Sequence, residues 1–115
     1  MQETGYRKHI TFIVGSNDVS AADIHIVATN IARITGGLTI TPCQGLWAAN
    51  GAEHTNSYQD IETETAWKIE VAVDDNADDF QYTLQSLKNC FYVLAGKATW
   101  IHCEVSVTQA HHFAI

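Results

Sequence analysis

The chain has 115 residues, 46% of them apolar, and a formal net charge of −7 with only six Lys and Arg. That length and apolar share fit one domain (residues 1–115) with one core and exclude wholesale disorder. Acidity removes the positive footprint that nucleic acid or an anionic membrane would require, and no apolar run approaches membrane-crossing length, so neither partner is expected. Residues 1–9 lack the apolar stretch of a secretory leader, from which a cytoplasmic location is expected.

In chain order, His9 to Gly15 alternates like a strand, with Ile10, Phe12 and Val14 on one side and His9, Thr11 and Ile13 on the other. Gly15-Ser16-Asn17-Asp18 breaks the pattern. Ser20 and Asp23 then form a capping-box pair ahead of a helix over Ser20 to Ile34, whose stripe is Ile24, Val27, Ala28, Ile31 and Ile34. Gly36-Gly37 stops it, the first as a left-handed cap. Leu38 to Thr41 is a short strand ended by Pro42. From Cys43 to Glu64 the chain has little periodicity and contains Gly45, Asn50, Gly51, His54, Asn56, Ser57 and Tyr58; a loop of that length in a compact domain is usually functional or mobile.

Thr65 to Val73 alternates again. Trp67, Ile69, Val71 and Val73 form its apolar face; Glu64, Ala66, Lys68 and Glu70 form the other. Asp74-Asp75-Asn76 ends it, and Asp79 to Leu94 is a helix lined by Phe80, Leu84, Leu87, Phe91 and Leu94 and stopped by Gly96. Thr99 to Val107 is the last strand, with Ile101, Cys103, Val105 and Val107 inward and Trp100, His102, Glu104 and Ser106 outward. Strand–helix–strand, twice over, is the split βαβ plan. The expected class is α+β, a ferredoxin-like βαββαβ fold with a four-stranded antiparallel sheet and two helices on one face.

The other face is left bare and must meet water, a ligand or another subunit. Its residues are His9, Thr11, Glu64, Lys68, Glu70, Trp100, His102 and Glu104. A solvated face with alternating charges is one reading. Assembly is the other, because Ile13 and a Trp would otherwise stand exposed. A ligand site at a subunit boundary that also uses the long loop fits better than one built from sheet-face groups alone.

The chemistry-bearing motifs are mostly negative. Cys43, Cys90 and Cys103 are odd in number and lack C-x-x-C spacing, which argues against a disulfide framework or a zinc finger. His111 and His112 are neighbours in a strand-like tail and point opposite ways, and His25 has no His or acid one turn away, so no bound metal is expected. His102 and Cys103 likewise face opposite sides, which excludes a simple Cys–His couple. No phosphate loop, dinucleotide fingerprint, nucleophile elbow or zincin motif is present. Tyr58 in the loop, Glu64 at the strand entrance, and Gln109 and His111 after the last strand remain as positioning residues that could converge at one sheet end.

Two resemblances emerge, the first over the whole chain. The element order, the long middle loop, and Gly37-Leu38-Thr39-Ile40 leading to Gly45-Leu46-Trp47 resemble the trimeric PII-type signal proteins and their PII-like relatives. Tyr58, then Glu64, then Cys103-Glu-Val-Ser-Val-Thr-Gln109-Ala-His111 resembles the phage-encoded S-adenosylmethionine lyases, with Glu62 and Glu70 as alternative matches for the acid. The second resemblance implies a cofactor-free lyase. The substrate's own carboxylate attacks its γ-carbon, expels methylthioadenosine and leaves homoserine lactone, which is catalysis by proximity and water exclusion. It implies Tyr58 and Glu64 as catalytic residues holding the amino-acid end. Gln109, Glu70 and His111 would bind substrate, and a homotrimer would carry the site between subunits. The first resemblance implies the competing class, a non-enzymatic binding module for a nucleotide or metabolite. Few basic residues are available for phosphate, namely Arg7, Lys8, Arg33, Lys68, Lys88 and Lys97. A third class, a structural phage protein, would bind none of these ligands.

Overall fold

The computed structural model describes residues 2–48, 51, 53, 55–74 and 77–115, with side chains from residue 5 onward except those of 77 and 78. Asn50, His54, Asp75 and Asn76 lie outside the described residues. The order is β1 (Gln2–Gly15), α1 (Ala21–Thr35), β2 (Thr39–Ala48), β3 (Ile61–Asp74), α2 (Ala77–Asn89), a 3-10 helix (Cys90–Leu94) and β4 (Ile101–Phe113). The strands form one antiparallel sheet in the order β2-β3-β1-β4, the ferredoxin-like arrangement.

The elements arise for local reasons. Ser20 caps α1: its hydroxyl accepts from the Asp23 amide at 3.1 Å, and Asp23 accepts from the Ser20 amide at 3.0 Å. Gly36 closes the helix at φ 87°, a left-handed conformation that other residues adopt only at a cost. The apolar stripes of both helices then cover one face of the sheet. Ile24, Val27 and Ile31 of α1 and Phe80, Leu84 and Leu87 of α2 meet Ile10, Phe12 and Val14 of β1 and Ile69 and Val71 of β3. Phe91, from the 3-10 helix, packs on Phe12 with ring centroids 4.8 Å apart.

Three expectations from periodicity are corrected. β1 and β4 run well beyond His9 and Val107, paired from Gln2–Phe113 to Val14–Ile101. β2 continues through Pro42 to Ala48, paired with β3 from Thr39–Glu70 to Ala48–Ile61, so the connection between the middle strands shrinks to residues 49–60. Proline fits because β2 is an edge strand, where alternate amides face away from the neighbouring strand. Both extensions are two-stranded ribbons that outrun the helices, since β1 and β3 pair only between Arg7–Asp74 and Gly15–Ala66. The molecule is accordingly long, 51 × 33 × 31 Å. A ribbon wetted on both faces has no reason to alternate, which is why the pattern missed it. The third correction concerns Val105 and Val107, read as inward, which are 44% and 59% exposed on the edge strand β4; Ala66 lies on the bare-face alternation as read and is nonetheless 1% exposed.

Candidate functional site

The turn between β1 and α1 anchors one end of the sheet. The buried Ser16 donates its hydroxyl to the Lys97 carbonyl at 2.5 Å and accepts from the Asp18 amide at 3.1 Å. Its own amide donates to the Thr65 carbonyl at 2.9 Å, and Asn17 Oδ1 accepts from the Thr65 amide at 2.8 Å. These bonds tie β1, β3 and the segment before β4 into one rigid corner.

A cleft of about 690 Å³ opens on the bare face beside that corner, lined among others by Ile13, Gly15, Asp18, Trp47, Glu64 and Trp100. Trp100 is 84% exposed. The floor is Gly15, and it is close-fitted. A methyl group added there would sit 2.6 Å from Glu64 Oε1 and 3.1 Å from Trp47 Nε1. Carboxylate and indole therefore flank one point on the sheet, beside the enclosed Ala66 that neighbours Gly15 across the ladder. Glu64 enters because it is on the bare-face alternation of β3, opposite Gly45 of β2.

The cleft is electronegative. The Lys97 ammonium is held by both oxygens of Asp23, at 2.9 and 3.0 Å, so it does not neutralise Asp18 or Glu64. His102, also in the wall, lies 2.9 Å from Glu104 Oε1. Among the described residues neither Glu64 nor Asp18 has a side-chain hydrogen bond or ion pair. Two uncompensated carboxylates in a cleft that also holds two indoles suit an organic cation, through charge pairing and cation–π attraction.

The other sequence-named residues lie elsewhere in the single chain. Tyr58 is exposed in the 49–60 segment and does not line the cleft. Glu62 is exposed, opposite Trp47 in the register. Glu70 sits mid-sheet, six residues from Glu64, with its carboxylate 3.5 Å from Lys68 Nζ. Gln109 is within β4, opposite Tyr6, rather than after the strand. His111 pairs with Thr4 and lines a different cavity of about 1010 Å³, with Tyr6, Phe113 and the Arg7–Asp74 ion pair. The convergence of strand entrance and tail therefore does not occur within one chain. β3 and β4 both run antiparallel to β1, so their starts share one end of the sheet and the tail of β4 lies at the other. From Ile101 to Gln109 is about 27 Å along the strand.

Among the described residues no group of three His, Cys, Asp or Glu is placed to hold a metal ion. No helix is long and apolar enough to cross a membrane. Cys103 faces away from His102, into a cavity of about 710 Å³ beside Phe91 and Lys88, where burial pushes its thiol above the ordinary value and so away from the reactive thiolate. Trp47, quoted only as part of a family resemblance, and Asp18, read only as part of a turn, are cleft residues that the sequence did not assign to a site. The available signal for Trp47 was Gly45 two places before it, on the same side of an extended strand.

No protein-family model matches the chain, and no curated protein matches it by sequence. Solved structures do match. A phage SAM lyase in complex with S-methyl-5'-thioadenosine is similar over 87% of this chain and 90% of that one, at 15% identity and a TM-score of 0.54. B. subtilis GlnK is similar over 92% of this chain and 86% of that one, at 14% identity and a TM-score of 0.46. The likeness to the lyase is one of fold.

Proposed function

We propose that the chain is an S-adenosylmethionine lyase that forms methylthioadenosine and homoserine lactone, and that the cleft at Glu64 receives the substrate. The observation that carries this reading is the unpaired Glu64 carboxylate beside Trp47 over Gly15, in a cleft also lined by Trp100 and Asp18. The sharing of a fold with a SAM lyase supports it at the level of architecture.

The reaction asks little covalent chemistry of the protein. A substrate carboxylate oxygen forms a bond to the γ-carbon as the γ-carbon–sulfur bond breaks. The bonding pair leaves with sulfur, the carboxylate and sulfonium charges cancel, and no proton moves. Catalysis consists of holding the folded conformer with its carboxylate in line and excluding water from the γ-carbon. Glu64 pairs with the substrate ammonium, leaving the substrate carboxylate free to attack, and Tyr58 closes over the amino-acid end from the 49–60 segment. Gln109, Glu70 and His111 are too far along the sheet to meet Glu64 in one chain. In a homotrimer a neighbouring chain brings its own β4 tail to the cleft, and Gln109 then bonds the adenosine or the carboxylate.

Incubation of the purified chain with S-adenosylmethionine, followed by chromatography for methylthioadenosine and homoserine lactone, tests the proposal. Both products are expected in equal amounts, well above spontaneous decay. Binding without consumption would instead identify a PII-like binding module, and neither binding nor consumption would remove both readings.

A further inference from the structure

Trp47 is seated with unusual closeness. Its Nε1 approaches the position a Cβ on Gly45 would take, with Cε2 and Cζ2 at 2.9 and 3.1 Å from the same point. Across the sheet, Nε1 lies 3.1 Å from the corresponding point on Gly15. An alanine at Gly45 would collide with the ring edge, not with the far end of a flexible chain. The two glycines thus form a seat for the edge of the indole, and the residue, which lines the cleft, remains 47% exposed. The N–H edge, the positive rim of the quadrupole, is turned to the glycine floor that Glu64 shares, so a ligand in the cleft that meets a face of the ring meets its negative side.

We infer that Trp47 is the specificity residue that reads positive charge at the sulfur position of the ligand; the inference rests on the part of the proposed function that seats an S-adenosylmethionine-like ligand in this cleft, not on its turnover. Glu64 cannot make that distinction. Both the sulfonium substrate and its neutral thioether counterpart carry the α-ammonium group that Glu64 binds. An indole wall beside the sulfur favours only the charged species. The seat matters because a rotating indole would lose that geometry.

The test is calorimetric titration with two ligands inert to the cyclisation: sinefungin, in which a protonated amine replaces the sulfonium, and S-adenosylhomocysteine, the neutral thioether. The native chain is expected to bind sinefungin about tenfold more tightly. Trp47→Leu is expected to bring the two affinities within about twofold, Trp47→Phe to retain an intermediate ratio, and Gly45→Ala to behave like Trp47→Leu. A ratio that survives Trp47→Leu overturns the inference, as does a native chain that shows no preference or binds neither ligand. The lyase reading fails separately: a native chain that discriminates through Trp47 but yields no methylthioadenosine from S-adenosylmethionine keeps the inference and loses the lyase.

Discussion

At the residue scale, Glu64 and Asp23 are carboxylates with opposite duties. Glu64 is left unpaired at a cleft, and its replacement should harm function more than stability. Glu64→Gln is expected to lower kcat/KM by between about tenfold and a hundredfold, the worth of one charge-assisted contact, while the thermal midpoint stays within a few degrees. Steady-state assay and thermal unfolding on the same sample check both halves. Asp23 is fully engaged. The Ser20 amide, and then the Lys97 ammonium, hold its carboxyl below the ordinary value of 3.8. Ionisation therefore favours the folded state. Its contribution is complete above the unfolded pKa and is lost as the pH falls through the lower folded value. Between pH 6 and pH 3 the native chain should lose more stability than Asp23→Asn, as measured by thermal unfolding at each pH.

At the element scale, packing and caps decide the outcome. Leu87 is fully buried between α2 and the sheet, and Leu87→Ala should cost about 2–5 kcal/mol in denaturant unfolding. Gly36→Ala should cost about 1 kcal/mol, because φ 87° strains any residue with a Cβ although nothing crowds the site. The helices and the buried halves of the strands were legible in the sequence because burial imposes a period. α1 was read to within one residue at each end, since Ser20, Asp23 and Gly36 mark its limits chemically. The outer halves of all four strands were not legible. Pro42 read as a stop, whereas only the knowledge that β2 is an edge strand allows it to continue.

At the scale of the whole molecule, the two ends of the sheet carry different residues. Glu64 lies at one and Gln109 at the other, so a site that uses both must draw them from neighbouring chains. Sedimentation velocity on the native protein is expected to give a trimer. Glu64→Gln and Gln109→Ala should each be impaired alone, and co-refolding the two should restore part of the lost activity through mixed assemblies that contain one intact site. Failure to complement, with mixed assembly confirmed by mass spectrometry, would remove Gln109 from the proposed site. A strictly monomeric native protein would remove the shared site altogether.

What the sequence determined by itself was the order of elements, the inward faces of β1 and β3 and the net negative charge. Those features are local, set by period, caps and charge count. Ala66 shows where that reasoning stops: alternation placed it outward correctly, yet it is enclosed, beside a glycine floor whose neighbours come from other strands. The cleft itself was decided only by tertiary structure. Glu64, Trp47, Trp100 and Asp18 lie far apart along the chain and meet because strand register brings Gly15 beside Ala66 and Gly45 beside Glu64. Register is a property of the folded sheet, fixed by which side chains the core can bury, and no single strand contains it.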